Sequence, residues 1–563
     1  MNTRNIRWRL LALIGVFALV VAACGDDDSG GTTQAPTTAG ATTTAPPDTA
    51  PETTEAPTTT AAPEPFTVRG AIAEPPSIDP QLVSDSEGFE VDRLLFDGLT
   101  LYDPEGGAVV PGAAETWEAN EDNTVWTFHI QQDLAFADGS PVTADAFVRG
   151  FNRLADPDTA SPVAYHGGPI LGWNDVNGGE GTGEIGDEPV DGVVAVDDYT
   201  LQITTTEPFV FLAKVVAHPA FSPIPETLGD GWADMPVGNG PYMMAEPWQH
   251  EVSISLVRNP HYAGPRPQNP DGIDFSIFAD RITAEFQAFV DGQLDVHSVA
   301  PENEDQATSL GYELNELPTG SFGYLGYPTQ TPPFDDPQMR MALTMAVDRE
   351  AIATRILKRQ VANGFVPPVA FGAVDGLETC PGCVFDPEAA KALYDELGGI
   401  PGNTVDIAYN AGAGHDDWIE AVANDWENNL GLTVTFSTLE WAAYLEFLGI
   451  TGGPPPVAPY RLGWLWDYPS AYNFLAPLYY TGSGDNFAQY SNPDFDAAID
   501  AAAAAASEDE AIPFLVTAQE IIGQEMPVMP ITYGTTRWTQ NDTVANAAFN
   551  NFGFFLWEYM TAP

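Results

Sequence analysis

TVWTFHIQQDLAFADGSPVTADAF, residues 124–147, changes its period partway along. The first seven residues alternate, with Val125, Thr127 and His129 on one face and Trp126, Phe128 and Ile130 on the other, as a half-buried strand requires. Asp138 and Gly139 then supply a turn, Thr143 stands at a helix N-cap position, and Phe147 and Phe151 recur at helical spacing. The same alternation of elements continues outward. EVSISLV (251–257) and VDIAYN (405–410) read as strands, and DPQMRMALTMAVDREAIATRIL (336–357), FDPEAAKALYDELGG (385–399) and NPDFDAAIDAAAAAA (492–506) as helices. In the second of these helices Asp386 is the cap, Pro387 occupies the first turn, Leu393 and Leu397 share a face, and glycines form the stop. The class is mixed α/β with more than one sheet.

With 563 residues, 44% of them hydrophobic, the chain can bury at least two sizeable cores. Eighty acidic residues against 19 basic ones give a net charge of -61, which repels phosphate backbones and excludes a nucleic-acid partner. The lysines are reduced to Lys214, Lys358 and Lys391.

The N-terminus reads as an address. Arg4, Arg7 and Arg9 precede an apolar run from Leu10 to Ala23, short of the roughly 20 residues of a membrane span. The run closes in Val21-Ala22-Ala23-Cys24, which resembles the bacterial lipoprotein cleavage box, so residues 1–23 are expected to be removed and Cys24 to take up a diacylglycerol anchor. From there to Pro65 the chain is rich in Thr, Ala and Pro, with no lysine, arginine or aromatic residue. Such a segment cannot bury enough apolar surface to offset its ordering entropy, and 24–65 is expected to be a flexible tether reaching on the order of 100 Å. The remaining cysteines, Cys380 and Cys383 in ETCPGC, are expected to form a local disulfide in an oxidising compartment.

The motifs of common enzymes are absent: no G-x-S-x-G elbow, no H-E-x-x-H helix and no G-x-x-x-x-G-K-[ST] loop. The seven histidines are scattered singly, and neither a metal nor another cofactor is expected. No enzymatic activity is expected.

A series of blocks carries a more specific signal. AEPPSIDP (73–80), the stretch 94–147, VGNGPYMM (237–244), LVRNPHYAG (256–264), PPFDDPQMRMALTMAVDREAI (332–352), GWLWDYP (463–469) and PVMPI (527–531) follow one another in order. Together they resemble the bacterial extracellular solute-binding proteins of family 5, the oligopeptide, dipeptide and nickel class that serves ABC importers. The resemblance implies a flytrap of two α/β lobes joined by two crossing strands, with a subdomain inserted in the first lobe. Mapped by the blocks, lobe I comprises 66–320, with the insertion at about 104–210, lobe II comprises 321–534, and 535–563 return to lobe I. It further implies a monomeric, lipid-anchored protein on the outer face of the bacterial cytoplasmic membrane, delivering a peptide or other aminated solute to a permease by hinge closure. An oligosaccharide or metal chelate as ligand, or a sensor role, are the alternatives within the same fold.

The resemblance also assigns roles. In RLGWLWDYPSAYNFL (461–475), the aspartate that accepts a peptide's α-ammonium group in similar proteins maps onto Asp467, and an arginine used for a peptide carboxylate maps onto Arg461. Phe322, Tyr324 and Tyr165 fall where relatives line the cleft with rings and Trp464 is expected as a pocket wall, with packing in the core as the alternative for all four. On a straight strand Arg461 and Asp467 would stand roughly 20 Å apart, so reaching both ends of a short peptide is expected to need a bend near Gly463. FGYLGYPTQ (322–330) departs from the tyrosine-rich, asparagine-containing pattern of peptide binders.

Overall fold

The structure is a computed structural model and describes residues 65–104, 107–374, 376, 378–412, 414–449 and 455–563. The leader, Cys24 and the tether to residue 64 lie outside the described residues. Among the described residues no helix is long and apolar enough to cross a membrane.

The strands of the described residues form four sheets. A four-stranded sheet runs in the order Thr67–Ile72, Gly272–Ile277, Ser253–Arg258, Tyr242–Met244. A second, antiparallel sheet lies within the expected insertion, in the order Ala114–Ala119, Val125–Ile130, Thr200–Thr204, Val193–Asp197. A short hairpin, Thr100–Tyr102 with Val109–Pro111, precedes it. The largest sheet has seven strands, ordered Val296–Ser298, Val528–Gln540, Asn315–Gly326, Tyr460–Leu465, Thr404–Asn410, Thr433–Leu439, with Gln360–Val361 added to Val528–Gln540.

Two long antiparallel strands tie the molecule together. Val528–Gln540 places Met529 and Ile531 in a core with Leu343, Ile407 and Trp426, and Trp538 in another with Val68, Phe275 and Trp557. Asn315–Gly326 does the same, with Leu325 in the first core and Leu317 against the second. Each strand is thus anchored by apolar burial at both ends, which leaves its middle as the crossing between two cores.

Local chemistry follows the sequence in most places. In Val125–Ile130 the residues Trp126, Phe128 and Ile130 are the buried face. The helix Ala144–Ala155 begins after Thr143, whose side chain makes no capping hydrogen bond. Asp386 does cap the helix Pro387–Glu396, accepting from the Ala389 N–H at 3.0 Å, but its buried residues are Ala390 and Tyr394, with Leu393 and Leu397 only partly covered. The helix expected over 336–357 is broken. It runs Pro337–Met345, then restarts at Arg349–Ala351 because the Asp348 carboxylate accepts from the Ala351 N–H at 3.0 Å, and continues as a wider turn over Ile352–Ile356. Cys380 and Cys383 are joined as a disulfide across the turn Pro381–Cys383, and both are buried.

The helix Ala144–Ala155 is pinned to the segment that follows Thr67–Ile72 by a buried ion pair. Arg153, from the helix Ala144–Ala155, donates from Nη1 and Nη2 to the two Asp79 oxygens, each at 2.6 Å, and from Nη1 to Gln81 Oε1 at 2.5 Å. The Trp232 indole completes the Asp79 shell at 2.8 Å. A bidentate guanidinium–carboxylate pair, with further donors on the carboxylate, is the arrangement that makes a buried pair hold position.

Candidate functional site

The strand Tyr460–Leu465 separates two cavities. Its pairing with Asn315–Gly326 continues past its end, where the Trp466 N–H donates to the Gly320 carbonyl at 3.0 Å and the Trp466 ring covers Gly320. A Cβ on Gly320 would lie 2.0 Å from that ring, so only glycine admits it. This seat turns the chain and delivers Asp467 to a cavity of about 310 Å³ bounded by Phe89, Tyr165, His218, Leu465 and Phe552.

Asp467 is held from both sides. Its carboxylate accepts from Asn473 Nδ2 at 2.9 Å, its backbone N–H donates to Asn473 Oδ1 at 2.8 Å, and the Tyr165 hydroxyl reaches Oδ2 at 3.5 Å. His166 Nε2 stands 3.8 Å from Oδ1 without a hydrogen-bond partner. His166 and His218 are buried 4.8 Å apart, ring centre to ring centre, and burial drives both to a pKa of about 3, so they are neutral. Burial raises the Asp467 pKa, opposed by the Asn473 hydrogen bond, His218 and Tyr165. Among the described residues Asp467 therefore has no charged cationic partner, although its side chain is only 20% exposed. That is a costly state for a carboxylate until a cation meets it.

Arg461 faces the other cavity, of about 660 Å³, with Tyr324, Arg359, Asn410, His415 and Gly323 on its walls. Among the described residues it donates only to Asn410 Oδ1, at 3.4 Å. Burial lowers the Arg461 pKa, the Arg359 charge adds to the drop, and Tyr444 and Tyr324 oppose it. Arg359 makes no ion pair among the described residues, and burial followed by the Arg537 charge lowers its pKa too. Glu302 and Asp417 also line this cavity, but neither comes within ion-pair distance of either arginine. The Trp418 indole donates to His415 Nδ1 at 3.2 Å, which leaves the ring proton on Nε2. Burial, reinforced by Arg461, lowers the His415 pKa to about 4, so the ring is a neutral donor.

The bend expected near Gly463 is not found: the strand is continuous from Tyr460 to Leu465. The side chain shortens the gap instead, since Arg461 Nη2 lies 3.9 Å from where a Gly463 Cβ would stand. The strand's outer edge is open as well. Its pairing with Thr404–Asn410 is limited to Ala408 opposite Tyr460, and the Arg461 carbonyl turns outward to the Tyr444 hydroxyl. The alternation then points the backbone groups of Gly463 and Leu465 the same way, with no strand beside them among the described residues.

The remaining sequence candidates divide. Tyr165 is 49% exposed at the mouth of the Asp467 cavity, and Tyr324 lines the Arg461 cavity. Trp464 is half-buried against the core, with its indole 3.4 Å from Asn473 Oδ1, so it steadies the residue that holds Asp467. Phe322 falls on the core-packing side of the expectation: it is wholly buried, stacked on Tyr324 and close to Tyr533, because its face of the sheet is covered by the core. Sequence reasoning missed Arg359, His415, His166, His218 and Asn473. Asn473 was within reach, six residues after Asp467, but the histidines and Arg359 come from segments whose approach only the fold creates. Among the described residues no group of three or more His, Cys, Asp or Glu side chains is arranged to hold a metal ion.

Crossing strands over two cores, with Arg461 on one strand and Asp467 just past its end, neither in an ion pair with a charged partner among the described residues, fit a two-lobed α/β solute-binding protein. The family model for "Bacterial extracellular solute-binding proteins, family 5 Middle" matches residues 108–486, and the chain belongs to that family. It is 30% identical over 494 residues to the periplasmic oligopeptide-binding protein OppA of Salmonella typhimurium, covering 83% of this chain and 86% of that one. It is 27% identical to the dipeptide-binding protein DppE of Bacillus subtilis, covering 85% and 89%. Among solved structures, the Escherichia coli murein tripeptide binding protein MppA superposes with a TM-score of 0.72 at 26% identity, covering 89% of this chain and 99% of that one. Haemophilus influenzae OppA in complex with the peptide RPPGFSPFR gives 0.70 at 26% identity, with coverage of 89% and 99%.

Proposed function

We propose that this protein is the peptide-capturing subunit of an ABC importer, in which Asp467 receives the ligand's α-ammonium group and Arg461, with Arg359 and His415, its carboxylate. One observation carries this reading: in a chain where acids outnumber bases 80 to 19, Asp467 just past the strand Tyr460–Leu465 and the arginines Arg461 and Arg359 in a second cavity have no charged ion-pair partner among the described residues. Those charges match the termini of a zwitterion, and the open edge at Gly463 and Leu465 suits an extended backbone. The peptide-binding relatives support the same ligand class. The proposal includes the division into lobe I (66–320 and 535–563, with the insertion at 104–210) and lobe II (321–534), closure of the lobes on the ligand, a monomeric state, and tethering through lipid on Cys24 to the outer face of the membrane. The chain's role is capture, with no chemical step.

A thermal-shift measurement with short free peptides, and with the same peptides acetylated at the N-terminus, tests the reading. Free peptide at 100 times its dissociation constant should add about 2.7 kcal/mol of stability, and acetylation should abolish the shift. Equal shifts from both sets would remove Asp467 from its role.

A pH dependence follows from the raised carboxyls. Burial and the Asp467 charge push Asp485 up to about 6, and burial raises Asp467. A folded-state carboxyl pKa above its unfolded value makes stability fall as pH rises from the ordinary 3.8 through about 6. Acidification from pH 7.5 to 5.5 should therefore raise the unfolding temperature of the ligand-free protein while weakening its affinity for ammonium ligands. Calorimetry across that range checks both, and affinity that strengthens with acid would contradict the carboxylate assignment.

A further inference from the structure

The cavity that holds Asp467 is walled by rings, and nothing in the capture of an ammonium group uses them. Two of the rings, Phe552 and Phe554, come from a turn at 550–555 near the C-terminus. The buried Asn550 side chain ties this turn, accepting from the Phe552 and Phe554 N–H groups, both at 3.1 Å. Gly553 takes a φ of +88°, which favours glycine. The Gly320 N–H donates to the Asn551 carbonyl at 2.9 Å and so fastens the turn to the crossing strand Asn315–Gly326. Both rings are buried and stack with Phe89, at centroid distances of 6.4 Å for Phe552 and 5.3 Å for Phe554.

Phe89, Phe552 and Phe554 line the Asp467 cavity together with Val163, Tyr165 and Leu465. Of the polar groups on the same lining, His218 is neutral, Asp85 caps the helix Ser86–Leu95 by accepting from the Gly88 N–H at 2.9 Å, and Ser84 and Ser86 are exposed. An ammonium is the size of a water molecule, about 30 Å³, so most of the 310 Å³ is left to the group beside it. In a peptide that group is the first residue's side chain. The wall also divides two spaces. Phe89 and Phe552 line a second cavity, of about 280 Å³, which extends between Leu101, Val110 and Pro219, with the paired Arg93, Arg266 and Glu558 along it. Tyr102 and Trp466 hold the Phe552 ring at centroid distances of 4.8 and 5.3 Å.

We infer that this wall selects the ligand's first side chain: the site takes peptides whose N-terminal residue is apolar, and Phe552, standing between the two cavities, is the specificity-determining residue that limits how deep that side chain reaches. This rests on the peptide reading of the site. An aliphatic or aromatic side chain exchanges water for ring faces there, whereas a polar one gives up its hydrogen bonds to water for a wall made mostly of rings.

Titration calorimetry with Leu-Ala-Ala, Asn-Ala-Ala and Trp-Ala-Ala tests this, the first two differing in polarity at nearly equal size. The wild type should bind the leucine peptide about tenfold to a hundredfold more tightly than the asparagine peptide. Phe552→Ala joins the two cavities, so the affinity of Trp-Ala-Ala relative to Leu-Ala-Ala should rise about tenfold over the wild type. A purely structural role for Phe552 would weaken all three peptides alike and leave that ratio unmoved. Phe552→Leu keeps an apolar group on the wall and should raise the ratio by less; it carries the test if the unfolding temperature of the alanine variant shows that it does not fold. A wild type that does not distinguish leucine from asparagine overturns the selection, and an unchanged ratio in the variants overturns the role of Phe552, both leaving peptide capture intact. Failure of all three peptides to bind the wild type overturns the peptide reading together with the inference, so the failures are distinguishable.

Discussion

Asp467→Ala is expected to weaken binding of a free-amino peptide by about 2–5 kcal/mol, which is roughly thirtyfold to several thousandfold in dissociation constant. The size comes from what the substitution leaves behind. On the proposed reading the ammonium enters a cavity where Asn473 and Tyr165 already orient the carboxylate. Removing the carboxylate takes away the ammonium's counter-charge and leaves it beside the neutral imidazoles of His166 and His218. Asp467→Asn separates charge from shape: it keeps a hydrogen-bonding group opposite Asn473 and should lose most of the same affinity. Calorimetry with a free peptide and its N-acetylated form checks the assignment, since the acetylated form should bind the wild type and both variants equally poorly. Affinity retained by Asp467→Ala for the free peptide would move the ammonium site elsewhere in the cleft.

Much of the local structure was legible because its causes are local. Asp386 and Pro387 start a helix through chemistry confined to one turn, and the alternation in 124–130 selects the buried face of a strand that is covered on one side only. The reading failed where two causes competed. The apolar spacing over 336–357 continues through Asp348, yet that side chain's hydrogen bond to the Ala351 N–H ends one helix and begins the next. Phe322 and Tyr324 share a strand face by parity, and sequence cannot say that one lies deep in the core while the other reaches a cavity wall. The site shows the same limit. Asp467 and Arg461 are marked by their shared block, but Tyr165 meets Asp467 from 302 residues away.

On the proposed division the insertion at 104–210 contributes Tyr165 and His166 to the site, so the pair that anchors the helix Ala144–Ala155 would be a stability element with a functional consequence. Arg153→Met keeps the length of the side chain and removes the charge, leaving the Asp79 carboxylate buried with the Trp232 indole as its remaining side-chain donor. Breaking a buried pair from one side typically costs 3–5 kcal/mol, and Asp79 has an aggravating neighbour. Asp92 is fully buried with both carboxyl oxygens unpartnered, and burial together with the Asp79 charge raises its pKa well above the ordinary value. The two acids repel, and Arg153 is the group that offsets Asp79. Denaturant unfolding of Arg153→Met should therefore show a loss of about 3–5 kcal/mol, and adding Asp79→Asn should recover much of it by removing the stranded charge. If the double variant is no more stable than the single one, the loss belongs to packing of the arginine stem and its contact with Gln81 rather than to the ion pair. Recovery would instead identify charge compensation as what holds the insertion, and with it Tyr165 and His166, in place opposite Asp467.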